Sequence, residues 1–544
     1  MKLVSVAEMR TVEQEADASG ISYADMMENA GRGLADILLE LPYEEGEEEL
    51  EIIGLVGPGN NGGDALVAMA QMAAQGWRVR AYLIQRKFYN DPYIERLQQA
   101  GGEIIQVEED KGFEMLSAFL GTATVVLDGV LGTGIRLPLK GEIGSVLKAA
   151  KEEITKLEFP PYIVAVDCPS GVDSDTGEAA EECIPADLTV TMAAVKQGLL
   201  RFPAFSLIGD LQVVDIGIDN RIKGWDKIKH EVSDETTIRL ILPQRPRDAH
   251  KGTFGTALVT AGSVNYTGAA FLAGKAAYRV GAGLVTLAIP DPLHQVLAGQ
   301  LPEATWVLLP HELGVISENA AEVLRKNLKQ ATALLIGPGF GMEDTTLEFI
   351  LKLLKTKSDL KKGSARIGFV QNGKAQTEEK AVPLPPLVID ADGLKLLAKI
   401  PDWPTCLPPF TILTPHPGEM SDLTKLTKDA IQSDRQLIAS KFAQQWGHIV
   451  VLKGAFTVVA APNGQTTTIP FASAALARAG TGDVLAGIIV GLLAQGVKAY
   501  EAAIAGAWIH AKAGLHAAKL IGNSASVLAG DVLDSISQVI TELE

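Results

Sequence analysis

Basic residues are in short supply in this 544-residue chain: 48 Lys and Arg stand against 66 Asp and Glu, a formal net charge of -18. That balance argues against nucleic acid or an anionic membrane as a partner. No Lys/Arg cluster with interleaved aromatics offers a local exception. Cysteine is scarcer still. Cys168, Cys183 and Cys406 are scattered and lack metal-ligand spacing, so they give no disulfide framework and suit a reducing cytosol. The longest apolar stretch, 484–494, is too short and too glycine-interrupted to span a bilayer. The opening MKLVSVAEMRTVEQEA has no apolar signal-peptide core. The expectation is a cytoplasmic protein with no membrane partner, in a homo-oligomeric state.

What the chain does have is glycine and aspartate at the ends of apolar runs. Its length predicts more than one core. In the first half, 51–56, 78–84, 124–127 and 162–166 read as buried parallel strands, with helical patterns at 64–75 and 142–156 between them. The opening stretch, 6–39, reads as two helices broken near Gly20. The second half alternates in the same way, with strands expected at 257–261, 284–289, 333–336, 387–389, 411–413 and 449–452. The fold class is therefore α/β, with a doubly wound parallel sheet in the first half. A polar stretch of weak periodicity places the domains at 1–219 and 237–544, joined by a linker at 220–236. The polar, Gly-, Lys- and Gln-rich segment 357–380 reads as a surface excursion.

Three loops of the first half follow predicted strands: Gly57-Pro58-Gly59-Asn60-Asn61-Gly62-Gly63-Asp64, Asp128 to Arg136, and Asp167-Cys168-Pro169-Ser170-Gly171. In an open α/β sheet such loops converge outside the carboxyl ends of the strands. Glycine-rich backbone beside a helix start favours a phosphate. Asn61, Asp128 and Ser170 offer oxygen ligands for a hard cation. Asp167, at the end of a hydrophobic strand, is a candidate general acid or base. Each loop taken alone is also an ordinary turn composition. Cys168 reads as a small buried thiol. No clean GxGxxG is present, which disfavours a generic dehydrogenase.

These residues, with Met27-Glu28-Asn29-Ala30-Gly31 on the second helix, resemble the N-terminal epimerase domain of the NAD(P)H-hydrate epimerases, the YjeF-N family, from about residue 6 to 219. The resemblance implies a Rossmann-like domain. It implies that the substrate's phosphates are held by Asn60, Asn61, Gly62, Gly63 and Asp64 and by Gly132, Thr133, Gly134, Ile135, Arg136, Leu137 and Pro138. It also implies potassium at Asn61, Asp128 and Ser170, and Asp167 beside the hydrated nicotinamide ring. Ala65 departs from the glycine many members carry; a methyl group at a helix start is tolerable.

In the second half, Ala479-Gly480-Thr481-Gly482-Asp483 precedes an apolar helical run. Glycines let backbone N–H groups approach an anion, and a helix start adds its positive end. Asp483 would sit there as a base, the arrangement phosphoryl transfer needs; a plain glycine turn is the bland alternative. His416, between two prolines, is held in a non-helical backbone. Lys453 could meet a phosphate as a point charge. Asp390 and Asp392 could hold magnesium through water, or cap the following helix. Together with His250-Lys251-Gly252-Thr253-Phe254-Gly255, these segments resemble the ADP/ATP-dependent NAD(P)H-hydrate dehydratases, relatives of the ribokinase-like kinases, over about 237–540. The resemblance implies adenine-nucleotide contacts at Lys453, Gly454, Ala455, Phe456, Thr457 and Gly482. It implies hydrated-cofactor contacts at Ala270, Gly339, His416 and Asp483.

The expected function is repair of hydrated NADH and NADPH, called NADHX and NADPHX. One domain would epimerise the hydrates, and the other would phosphorylate the S epimer's ring hydroxyl and expel phosphate. Mg2+ and ADP, or ATP, would serve the second domain and K+ the first. Fusion of both domains looks prokaryotic, and such members commonly use ADP, which is therefore the expected co-substrate. The rival readings are a small-alcohol or vitamin kinase fused to a regulatory nucleotide-binding domain, and a non-enzymatic scaffold.

Overall fold

Strands that are apolar along their whole length must be covered on both faces, and Glu51–Val56, Val125–Gly129 and Leu188–Met192 are buried throughout. The computed structural model describes residues 1–43, 50–219, 221–354 and 383–544. The expected excursion 357–380 and residue 220 of the expected linker lie outside the described residues. The chain divides into two units, Met1–His230 and Glu231–Glu544. The division falls inside the polar stretch 220–236. That stretch carries the short helix Lys223–Lys227, whose Trp225 packs into the first core with Ile222 and Ile228.

The first unit holds a seven-stranded sheet in the order Glu103–Gln106, Arg78–Leu83, Glu51–Val56, Val125–Gly129, Tyr162–Val166, Leu188–Met192, Asp210–Val214. Every pairing in it is parallel. From Glu51–Val56 the chain runs outward on one side, then returns to place Val125–Gly129 on the other. The crevice beyond these two strand ends is the switch point where α/β sheets bind ligands. The strand Leu3–Val4 pairs with Val195–Lys196. Helix Val6–Ala18 follows, opened by a reciprocal Ser5–Glu8 capping box.

One expected loop is partly helix. Helix Asn60–Ala74 begins at Asn60, not near Asp64. Glycine is required in this first turn because the backbone is crowded. A Cβ on Gly62 would come within 2.2 Å of the Gly57 carbonyl, and one on Gly63 within 2.5 Å of the Met27 sulfur. The methyl of Ala65 is accommodated because its neighbour, Gly129, carries no side chain.

The second unit is built on a ten-stranded sheet, in the order His230–Val232, Thr466–Thr468, Val458–Ala460, Ile449–Leu452, Ile412–Leu413, Leu387–Ile389, Ala333–Ile336, Thr256–Thr260, Leu284–Pro290, Thr305–Leu309. The run from Ile449–Leu452 to Thr305–Leu309 is parallel. Val458–Ala460 and Thr466–Thr468 join antiparallel, a hairpin the apolar pattern did not single out. Helix Thr481–Ala494, apolar almost all round, is buried in the unit's core against helix Thr267–Arg279. Among the described residues no helix is long and apolar enough to cross a membrane.

Candidate functional sites

A cavity of about 480 Å³ occupies the switch point of the first unit. Asn60, Asn61 and Asp64 line one side and Gly132, Thr133, Gly134 and Ile135 the other, with Asp167 within it. Gly62 and Gly63 shape the turn without lining the cavity, and Arg136, Leu137 and Pro138 also lie outside its lining. The helix-start Gly59 makes no side-chain cap bond. The first N–H groups of Asn60–Ala74 therefore remain available to an anion.

Asp167 sits in a tight turn at φ +65° while Cys168 N–H bonds the Val166 carbonyl at 2.8 Å. A non-glycine residue held left-handed is a strained device that clusters at functional sites. Its Oδ1 accepts from Thr191 Oγ1 and Met192 N, each at 3.0 Å, and from the ammonium of Lys196. Lys196 is 1% exposed and also donates to Thr191 Oγ1 and the Met192 carbonyl. Glu13 and Arg10, from the first helix, and Lys196 join Asp167 and Asp64 in the cavity wall. Burial, then the Asp167 charge, push Asp64 well above the usual carboxylate range. Burial also raises Glu13. Three carboxyl groups thus gather with one buried ammonium in the same cavity wall. Neither Glu13 nor Lys196 was signalled by a motif. Burial pushes the thiol of the neighbouring Cys168 up, which leaves it inert.

The three residues read as cation ligands do come together. Asp128 is fully buried, and its Oδ2 accepts from Ser170 N at 2.7 Å. Ser170 Oγ accepts from Leu131 N at 2.8 Å. Asn61 departs from the expected role of oxygen ligand. Its Nδ2 donates to the Val166 carbonyl at 2.6 Å and the Leu131 carbonyl at 3.3 Å, so a turn of the carboxamide is needed to present oxygen. Among the described residues no cluster of three His, Cys, Asp or Glu could hold a metal.

The second unit carries a cavity of about 440 Å³, lined by His416, Lys453, Gly454, Ala455, Thr457, Gly482 and His510 among others. Phe456 is buried and outside its lining. Ala270, Gly339 and Asp483 are outside it as well. Ala270 and Gly339 gather instead around the turn after strand Thr256–Thr260. There Gly262 N bonds the Pro338 carbonyl at 2.8 Å, and Gly339 packs on Ala269 and Tyr266. Helix Thr481–Ala494 starts from Gly480 at φ +90° with no side-chain cap. Thr481 N bonds the Arg478 carbonyl at 3.4 Å, and the next N–H groups, of Gly482 and Asp483, are open.

Lys453 is engaged: its Nζ donates to Asp390 Oδ1 at 2.7 Å and stands 3.7 Å from Glu419. Asp390 also accepts from Thr414 Oγ1 at 2.6 Å, while its buried Oδ2 has no partner and faces the Gly482 backbone. Neither Asp390 nor Asp392 caps the following helix, contrary to one expectation: Asp392–Leu397 has no side-chain cap bond. Asp392 instead accepts from Gly341 N at 3.0 Å and pairs with Lys395. Asp483, in the first turn of its helix, is pushed up to about 7 by burial and then by the Asp390 charge, with Lys453 opposing. A carboxylate tuned near neutrality suits a general base. The proline-flanked His416 is the N-cap of helix Pro417–Thr424. Its Nδ1 accepts from Gly418 N and Glu419 N, and His416 N donates to the Glu419 carboxylate. Its Nε2 stands 3.3 Å from the Glu419 carboxylate, and burial lowers the ring's pKa.

A family model described as NAD(P)H-hydrate dehydratase matches residues 257–361 and 367–538, and one described as YjeF-related protein N-terminus matches 23–198. The bifunctional NAD(P)H-hydrate repair enzyme Nnr of Moorella thermoacetica is 34% identical over 550 residues, covering 100% of this chain and 97% of that one. The Escherichia coli K12 enzyme of that name is 31% identical over 538 residues, covering 95% and 93%. Among solved structures, an ADP/ATP-dependent NAD(P)H-hydrate dehydratase from Bacillus subtilis, co-crystallised with ATP and Mg2+, is 28% identical. It covers 58% of this chain and 99% of its own, with a TM-score of 0.45.

Proposed function

This chain belongs to the bifunctional NAD(P)H-hydrate repair enzymes, and from that premise we propose how its two units share the repair. The first unit interconverts the R and S hydrates of NADH and NADPH. A hydroxyl-bearing carbon inverts when its C–O bond breaks and re-forms on the other face. A carboxyl group protonates the departing oxygen, and a carboxylate takes the proton back when water returns. Asp167, held by Lys196, faces the ring; Asp64 and Glu13, whose pKa values burial raises, stand beside it. The substrate's phosphates meet the open N–H groups of the turn from Asn60 and the loop from Gly132.

A potassium ion fits beside Asp128, because that carboxylate is fully buried and no ion pair to it is present among the described residues. One carboxylate with neutral oxygens from Ser170, Leu131 and a turned Asn61 suits a large monovalent ion better than magnesium. When bound it would neutralise Asp128 and tie the loops that carry Asn61 and Asp167.

The second unit dehydrates the S epimer at the expense of ADP, or of ATP. Asp483 takes the ring hydroxyl's proton as the oxygen bonds to the terminal phosphorus and the nucleotide's bridging oxygen leaves. The C–O bond then breaks, phosphate departs with the electron pair, and the adjacent ring carbon gives up a proton to restore the double bond. Gly482 and its neighbours offer N–H groups to the moving phosphoryl group. Ala270, Gly339 and His416 contact the hydrated cofactor, and Lys453, Gly454, Ala455 and Thr457 border the nucleotide. Magnesium fits the unpartnered Asp390 Oδ2 and would supply charge for the phosphates. The proposed location is the cytoplasm, where the free thiols stay reduced.

The observation that carries this reading is Asp483, tuned to about 7 at a helix N-terminus beside the Asp390–Lys453 pair. The test is to supply hydrated NADH with ADP, then with ATP, and follow the return of dihydronicotinamide absorbance. Nucleotide-dependent recovery is expected. Recovery of equal rate without nucleotide, or a stable phosphorylated product, would overturn it.

A further inference from the structure

Strand Arg78–Leu83 pairs to its last residue with Glu51–Val56, and the loop after it returns Arg86 to the turn that follows Val56. Gln85, held left-handed at φ +56°, turns the chain just before it. The Arg86 side chain is 9% exposed. Its Nη1 donates to the Gly57 carbonyl at 3.0 Å and to the Gly59 carbonyl at 3.1 Å. Its Nε donates to Asp91 Oδ2 at 2.8 Å, and Nη2 stands 2.8 Å from the same oxygen. Asp91 is itself fixed, because its Oδ1 caps helix Pro92–Gln99 at Tyr93 N and Ile94 N. Pro58, Gly59, Asn60 and Asn61 line the first unit's cavity and Arg86 does not, so the guanidinium stands behind the turn. Gly62 leaves it room: a Cβ there would come within 2.9 Å of Nη1.

We propose that Arg86 is a positioning residue of the epimerase half: it fixes the turn from Gly57 to Asn60 so that the N–H groups at the helix start meet the substrate's phosphates. This rests on the reading of that turn as the phosphate site. In a trans peptide the C=O and N–H point opposite ways. The Gly59 carbonyl is bonded to Arg86 behind the turn, so the Asn60 N–H points away from Arg86, to the side the cavity occupies. Glycine at 57 and 59 leaves this backbone free to take other conformations. Its own helix restrains it through one bond, from Gly63 N to the Gly59 carbonyl at 3.3 Å. The planar fork of Arg86 holds two carbonyls and a carboxylate at once, which a lysine cannot do in one fixed geometry. Asp91 compensates the charge, so Arg86 acts by holding the turn and not as a phosphate-binding cation.

The experiment follows R-to-S epimerisation by the full chain, with ADP-ribose as a competing probe that carries the pyrophosphate and no nicotinamide. Arg86→Met should raise KM for the R hydrate and Ki for ADP-ribose by the same factor, about tenfold to a hundredfold. It should leave kcat and its pH profile in place, the mark of lost binding and not of lost chemistry. Arg86→Lys should fall between the two. Arg86→Met combined with Asp91→Ala should be no worse than the worse single variant, because the two side chains work as one unit. Unchanged KM and Ki in Arg86→Met would overturn the proposal. So would a lower kcat with a shifted pH profile, which would mean that Arg86 acts on Asp64, whose pKa burial raises and the Arg86 charge lowers. A role in folding alone would lower the unfolding temperature and kcat without moving Ki, and that result would overturn it too. If ADP-ribose does not compete in the unaltered protein, the phosphate-site reading itself fails. Dehydration of the S hydrate, carried by the other unit, should be unchanged in every variant.

Discussion

The ammonium of Lys196 is bonded to the carboxylate of Asp167 inside the first unit, and four further contacts lock the pair: two from Thr191 and Met192 to Asp167 and two from Lys196, to Thr191 Oγ1 and the Met192 carbonyl. The arrangement fixes where Asp167 points while keeping its charge compensated. Leaving either charge alone would cost about 3–5 kcal/mol.

Lys196→Met should therefore slow epimerisation by about a hundredfold or more and lower the unfolding temperature of the first unit. Dehydration of pure S hydrate should be unchanged. Equal slowing of both activities would mean that the substitution acts through the fold and not through Asp167.

The cation proposal makes a separate demand. Asp128→Ala should impair recovery of NADH from the R hydrate and remove any dependence on potassium. The unaltered protein should lose epimerase activity when potassium is replaced by a bulky organic cation. Full activity of the unaltered protein in that buffer would refute the site.

Much of this was legible in the sequence, for a physical reason. Strands buried on both faces are continuous apolar runs, so Glu51–Val56, Tyr162–Val166, Ala333–Ile336, Leu387–Ile389 and Ile449–Leu452 stand out with their observed limits. The strand-end glycines and aspartates followed from them. Asn60 to Gly63 misled because the composition of a turn is also that of a crowded helix start. Lys196 and Glu13 were missed because long-range pairing, not local pattern, brings them to Asp167. The available signal was a lone lysine at the end of the buried stretch Leu188 to Val195. Lys453 suits a phosphate as a point charge in the sequence, but no local pattern shows its pairing with the distant Asp390.

Dehydration should report the titration of Asp483. The base works unprotonated, and its pKa stands raised to about 7. The rate should therefore rise with pH through neutrality, with about a tenth of the sites active near pH 6. Asp390 raises that pKa and Lys453 lowers it. Asp390→Asn should move the rising limb to lower pH and Lys453→Met to higher pH, read from kcat/KM for the S hydrate. A limb that stays in place in both variants would remove Asp483 from the role of base.

The central claim, two separable reactions on two sites of one chain, is tested most directly by giving pure R and pure S hydrate, with ADP, to Asp167→Ala and Asp483→Asn. Dihydronicotinamide absorbance follows repair, and chromatography follows the epimer ratio, with spontaneous epimerisation subtracted. The account predicts that Asp167→Ala repairs the S hydrate at the unaltered rate and the R hydrate only as fast as it epimerises spontaneously. Asp483→Asn should repair neither yet still equilibrate R with S. Rapid repair of the R hydrate by Asp167→Ala, or near-normal repair of the S hydrate by Asp483→Asn, would contradict it.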